Sequence, residues 1–76
     1  MPQIKLLQNV KKDLKQISPF AHAHVTLAIL SLRQKKTEGI ALCGIYHGFY
    51  ALTAANYMII YRPYGKGDTR YIVRIT

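Results

Sequence analysis

Residues 57–75 read YMIIYRPYGKGDTRYIVRI and carry the clearest secondary-structure signal of the chain. Residues 57–62 and 69–75 are rich in Tyr, Ile, Val and Thr, and their side chains alternate as β-strands require. Residues 63–68 lie between them and include two glycines, which accept the positive φ angles of tight turns. We therefore predict a hairpin, with residues 49–53 as a third strand before it.

The N-terminal part of the chain predicts a short strand and a first helix. Residues 3–7 alternate apolar and polar side chains, which indicates a strand. Asn9 can cap a helix that follows it. The apolar stripe of this helix is expected to consist of Val10, Leu14 and Ile17.

A second helix is predicted from Ser18, because Ser is a good N-cap and Pro19 is tolerated at the first helical position. Basic side chains at residues 34–36 suit a helix C-terminus, so the helix is expected to end there. Its inner face is expected to consist of Ala21, Val25, Ala28, Ile29 and Leu32, widened by Phe20, Leu27 and Leu30.

The order of these elements predicts the fold class. A very short connection makes the two helices antiparallel neighbours. We expect an α+β fold in which an N-terminal strand precedes an antiparallel helical hairpin packed on an antiparallel β-sheet, forming one domain over residues 1–76. The predicted core consists of Leu14, Ile17, Val25, Ile29, Leu32, Ile59 and Val73.

The charge balance points to an anionic partner. Eleven Lys and Arg residues oppose three acidic residues, which gives a net charge of +8. Such a surface attracts nucleic acid or an acidic protein, although a generically basic surface is the alternative. The sequence shows no signal peptide and no apolar run long enough to span a bilayer, so a cytoplasmic location without membrane contact is expected. The single cysteine, Cys43, excludes an internal disulfide and is expected to be buried.

No metal or cofactor site is predicted. His22 and His24 are two residues apart on a helix and face different directions. The three acidic residues fall in three different elements, which argues against paired-carboxylate chemistry. The Gly65–Lys66–Gly67 segment lacks the spacing of a phosphate-binding loop.

The candidate binding surface combines basic and aromatic residues of the sheet. Arginines can hold phosphates and tyrosines can stack bases. Arg62, Arg70 and Arg74 are expected on the sheet face away from the helices or at the edge of the sheet. The predicted nucleic-acid-binding residues are Arg62, Lys66, Arg70, Arg74 and Tyr50.

Four segments resemble the RelE/ParE toxin superfamily when taken in order. Residues 11–17 (KKDLKQI) are similar to its first helix, and residues 42–44 (LCG) to the segment before its second strand. Residues 56–63 (NYMIIYRP) and 68–75 (DTRYIVRI) resemble its following strands. The resemblance implies a toxin of a type II toxin–antitoxin system, neutralised by a cognate antitoxin protein.

The resemblance leaves three functions open. RelE-type members cut mRNA on the ribosome, ParE-type members inhibit DNA gyrase, and an inactive relative would only bind antitoxin or RNA. RelE-type enzymes supply Lys and Arg from their second and third strands, whereas residues 49–54 contain no basic residue, and the sequence ends at Thr76 where the family carries a further segment. For RNA cleavage, the candidate catalytic residues are His47 as the acid or base and Arg74 as the group that stabilises charge on the phosphate.

Overall fold

The computed structural model describes residues 3–33, 39–64 and 69–76. Five strands form one sheet in the order β1-β5-β4-β3-β2. All neighbouring pairs are antiparallel except β1 and β5, which are parallel, so the sheet is mixed. The elements are β1 (Gln3–Leu6), α1 (Gln8–Gln16), α2 (Pro19–Ser31), β2 (Ile40–Ala41), a 3₁₀ turn (Gly44–Tyr46), β3 (Tyr50–Ala54), β4 (Tyr57–Tyr64) and β5 (Thr69–Ile75).

The α+β class and the N-terminal strand, two helices and sheet are confirmed. The sequence did not indicate the parallel pairing of β1 or the presence of β2. A strand of two residues is too short to show alternation, and parallel pairing depends on where the chain returns after α2.

The two helices pack on the same face of the sheet, α1 against β5 and α2 against β3 and β4. The prediction that Asn9 caps α1 is wrong, because Leu7 occupies the cap position and the Asn9 side-chain amide instead donates to the Val73 carbonyl at 2.8 Å. The start of α2 is confirmed: the Ser18 hydroxyl accepts from the Ala21 amide at 3.2 Å. This helix ends at Ser31, earlier than expected, and residues 34–36 lie outside the described residues.

The core lies between the helices and the sheet. Of the predicted core residues, Val25, Ile29, Leu32 and Ile59 are buried. Leu14 and Ile17 are half-buried and pack against that cluster. The buried set is Val10, Ala21, Val25, Ile29, Leu32, Ile59, Tyr61, Ile72 and Ile75.

A β-bulge in β5 explains why the prediction of Val73 as a core residue is wrong. Ile60 pairs with Arg74, but the next residue, Tyr61, pairs with Ile72. Val73 is therefore an extra residue of β5 that has no paired residue on β4. The extra residue breaks the two-residue alternation, and Ile72 and Ile75 become the buried positions of β5.

The outward side of α2 is more apolar than expected. Phe20, Leu27 and Leu30 were predicted to widen its inner face, but they are 74%, 66% and 49% exposed. The reason is that α2 is apolar around its whole circumference, whereas the sheet covers only one side of it. Cys43, predicted to be buried, is also exposed.

Strand β4 is longer than predicted, because Pro63 and Tyr64, assigned to the turn, still pair with Arg70 and Thr69. A proline fits there since β3 pairs with β4 only as far as Tyr61. Residues 65–68 of the predicted turn, including Lys66, lie outside the described residues. Within the part of the chain that the structure describes, no helix is long and apolar enough to cross a membrane.

Candidate functional site

The candidate site lies on the face of the sheet opposite the helices, which we call the outer face. Residues paired across neighbouring strands share a face, so Arg62 with Tyr71 and Ile60 with Arg74 lie on one side. Ile59 lies on the other side, buried against the helices. Among the described residues, α1 and α2 both pack on that helix side.

A groove of 340 Å³ opens on the outer face. It is lined by Leu7, Phe49, Arg62, Tyr71 and Val73. Leu7 directly follows β1 and Phe49 directly precedes β3, while the other three residues lie on the paired strands β4 and β5. The groove therefore has apolar and aromatic walls and one guanidinium group.

An aromatic ring, that of Phe49, lies next to Arg62 at the groove. The guanidinium carbon of Arg62 lies 5.7 Å from the centroid of the Phe49 ring, within the range of a cation–π contact. Tyr46 meets the same ring edge-on, with centroids 6.4 Å apart. The contact with Phe49 limits the conformational freedom of the Arg62 side chain and keeps its guanidinium beside the groove.

Arg62 and Arg74 lie where the sequence predicted, on the sheet face away from the helices. Both are exposed and both lie on the outer face. Arg74 pairs with Ile60, two residues before Arg62, so the two arginines are diagonal neighbours, roughly 7–8 Å apart at the backbone. Two exposed guanidinium groups at this spacing can contact phosphate groups of one strand.

Arg70 does not lie beside them, so the expectation that it lies on the face away from the helices or at the edge of the sheet is wrong. It pairs with Ile4 on β1 and Pro63 on β4 on the helix side of the sheet, and its guanidinium carbon lies 5.6 Å from the Tyr61 ring centroid. Strict alternation would place Arg70 and Arg74 on one face, but the bulge at Val73 separates them.

Tyr50 is also on the helix side. It pairs with Tyr61, and the two rings stack with centroids 5.7 Å apart. Tyr50 is half-buried and packs against the core. Its side chain therefore lies apart from the arginines of the outer face, where the aromatic ring in contact with Arg62 is that of Phe49.

His47 lies on the loop that leads into the groove. It is exposed, and its amide donates to the Gly44 carbonyl at 3.1 Å at the end of the 3₁₀ turn. Gly44 and Gly48 on either side have φ angles of 70° and 92°, which favour glycine and shape this loop. His47 stands two residues before Phe49, but it is not one of the residues that line the groove.

The sequence missed Phe49 and Leu7. Phe49 was placed in the third strand, but only the register of β3 against β4 brings it next to Arg62. Leu7 reaches the groove because β1 pairs with β5, which no local pattern indicated. Among the described residues, no group of three or more His, Cys, Asp or Glu side chains could hold a metal ion.

The fold matches that of a protein of known structure. No protein-family model and no curated protein sequence matches the chain. A solved structure, the RelBE2 toxin–antitoxin complex of Mycobacterium tuberculosis, contains a chain that superposes with a TM-score of 0.85. The match covers 99% of this chain and 96% of the other, at 22% sequence identity. The chain therefore has the fold of a RelE-type toxin.

Proposed function

We propose that this protein is the toxin of a bacterial type II toxin–antitoxin pair and acts in the cytoplasm by cleaving ribosome-bound mRNA. The observation that carries the proposal is the RelE-type fold, shared along 99% of the chain with a component of a toxin–antitoxin complex. The net charge of +8 supports an RNA substrate, because binding to phosphates releases counterions.

The outer face supplies the binding groups for RNA. A base can stack against the aromatic wall formed by Phe49 and Tyr71, while Arg62 and Arg74 bind the flanking phosphates. Because stacking tolerates any base, these residues alone predict RNA binding with little sequence specificity.

Cleavage needs a proton acceptor and a cation near the scissile phosphate. In the proposed reaction the ribose 2′-oxygen attacks the adjacent phosphorus, its proton passes to the His47 imidazole, and the bond to the 5′-oxygen breaks. The leaving oxygen takes a proton, which yields a 2′,3′-cyclic phosphate and a 5′-hydroxyl. Arg74 stabilises the negative charge that builds on the phosphate oxygens.

The proposed partner is an acidic segment of a cognate antitoxin. The outer face offers that segment arginines together with apolar side chains, including Met58, which is 39% exposed, and Ile40, which is 76% exposed. An acidic, partly disordered peptide can cover such a face, burying apolar area and neutralising charge. The antitoxin then blocks the proposed RNA site directly.

A toxin that only binds DNA gyrase is the second candidate. Strand β3 reads YALTA and adds no charged side chain to the outer face. Among the described residues, the cations of this face come from β4, β5 and β1: Arg62, Arg74 and Lys5. In this version Arg62 and Arg74 form a protein interface and no proton transfer is needed.

Inducible expression in bacteria separates the two candidates. Cleaved mRNA without an induced DNA damage response is expected for the ribonuclease. Intact mRNA with an induced DNA damage response is expected for a gyrase inhibitor. His47→Ala should abolish cleavage, whereas His22→Ala, which changes an exposed imidazole on α2, should not. Intact mRNA together with full toxicity of the His47 variant would contradict the enzymatic proposal.

A further inference from the structure

The outward side of α2 carries a stripe of exposed apolar side chains and one histidine that the proposed RNA site does not use. Phe20, Ala23, His24, Leu27 and Leu30 recur at helical spacing and are all exposed. The Phe20 and His24 rings are in contact, with centroids 4.6 Å apart. This set, called the α2 stripe below, lies opposite the buried residues of the same helix.

The charge distribution identifies what can cover the α2 stripe. The helix from Pro19 to Ser31 contains no Lys, Arg, Asp or Glu, although the chain has a net charge of +8. An acidic partner is drawn to basic positions such as Lys11 and Lys15 on α1, or to the arginines of the outer face. A second copy of this chain is repelled by those surfaces, but it can approach α2 without placing like charges on facing helices.

We propose that the α2 stripe is the contact surface of a weak, two-fold symmetric homodimer. Antiparallel packing of two α2 helices centred near Val25 sets Phe20 of one copy across from Leu30 of the other, and Ala23 across from Leu27. The small Ala23 side chain lets the helices approach closely, and the antiparallel arrangement also pairs opposite ends of the helix dipoles. This inference does not rest on the proposed toxin activity.

The size of the stripe sets the strength of the dimer. Stable dimers bury about 1,200–2,000 Å² in total, and one face of a single 13-residue helix provides less than that. Dissociation constants on the order of tens to hundreds of micromolar are therefore expected. Because two chains of net charge +8 repel each other at long range, salt should strengthen the dimer, whereas it weakens binding of RNA or an acidic peptide.

Sedimentation equilibrium of the full chain over about 10–500 µM, in about 0.1 M and 0.5 M NaCl, tests the proposal. A monomer–dimer equilibrium that tightens in the higher salt is expected. Leu27→Glu should weaken it at least about tenfold, because each dimer would bury two unpaired carboxylates. Ile45→Glu is the matched control, since Ile45 is 90% exposed outside α2 and the charge change is the same.

Three results would overturn the proposal: a wild-type monomer at every concentration, a dimer that survives Leu27→Glu, or a dimer lost equally in Ile45→Glu. Circular dichroism checks that the variants fold. Phe20→Ser, at a 74% exposed position near the start of α2, gives the same test if the Leu27 variant does not fold.

Discussion

The two faces of the sheet are made by the same strands but are used differently. On the helix side, Ile59, Tyr61 and Ile72 are at most 2% exposed and form one cluster with the helices. On the outer face, their neighbours Ile60, Arg62 and Tyr71 remain exposed or half-buried. Adjacent residues of one strand therefore differ in role because alternate side chains point to opposite faces.

The contrast shows how a small basic domain can keep both a core and a binding surface. In the part of the chain that the structure describes, both helices cover the same side of the sheet, and hydrophobic burial is concentrated there. The other face then carries arginines and half-buried aromatic side chains, whose position is fixed by the same strand pairing that builds the core. Changes on the helix side should affect stability, and changes on the outer face should affect binding.

The largest expected effect comes from comparing Ile59→Ala with Ile60→Ala, which alter identical side chains on opposite faces. Ile59 is fully buried, so its truncation should cost about 2–5 kcal/mol of unfolding free energy. Ile60 is half-buried, and its truncation should cost about 1 kcal/mol. Urea unfolding measures both. Ile59→Val, at about 0.5–1.5 kcal/mol, keeps the comparison measurable if the alanine variant does not fold. Equal losses of unfolding free energy at the two positions would contradict the assignment of the core to the helix side of the sheet.

A smaller loss of unfolding free energy is expected on substitution of Asp13, whose carboxylate is hydrogen-bonded to β5 on the C-terminal side of the bulge. Its carboxylate accepts from the Ile75 amide at 3.1 Å, where β1 no longer pairs with β5. Asp13→Ala leaves that amide without its partner and should cost about 1–3 kcal/mol. Faster hydrogen exchange at the Ile75 amide should accompany the loss. Lys12→Ala, on the exposed neighbour, is the control, and similar behaviour of both variants would mean that Asp13 does not secure the strand.

The smallest effect on stability is expected for Arg62→Ala, which should stay within about 0.5 kcal/mol of wild type. Its effect should appear in RNA binding instead. Loss of one phosphate contact should reduce the slope of log affinity against log salt by about 0.7 for single-stranded RNA. Arg33→Ala changes the net charge equally at an exposed position outside the sheet. If both variants lower the slope by the same amount, general charge and not the groove would account for binding.

The sequence by itself determined the features that depend on local patterns. Alternation in residues 57–62 and 69–75 indicated two central strands, and helical spacing indicated Val25, Ile29 and Leu32 as core positions. Ser18 and Pro19 located the start of α2 because capping involves only neighbouring residues. The exposed positions of Arg62 and Arg74 also followed from alternation along their strands.

Only the tertiary structure decided which of those residues meet. The bulge at Val73, secured from α1 by the Asn9 side chain, separates Arg70 from Arg74, and a strict period of two cannot reveal such an extra residue. The groove joins Leu7 to Phe49 through the pairing of distant strands, and the exposure of Phe20 and Leu27 depends on which side of α2 the sheet covers. Local pattern fixes the type of each element, but contacts between residues far apart in sequence fix its register and its buried side.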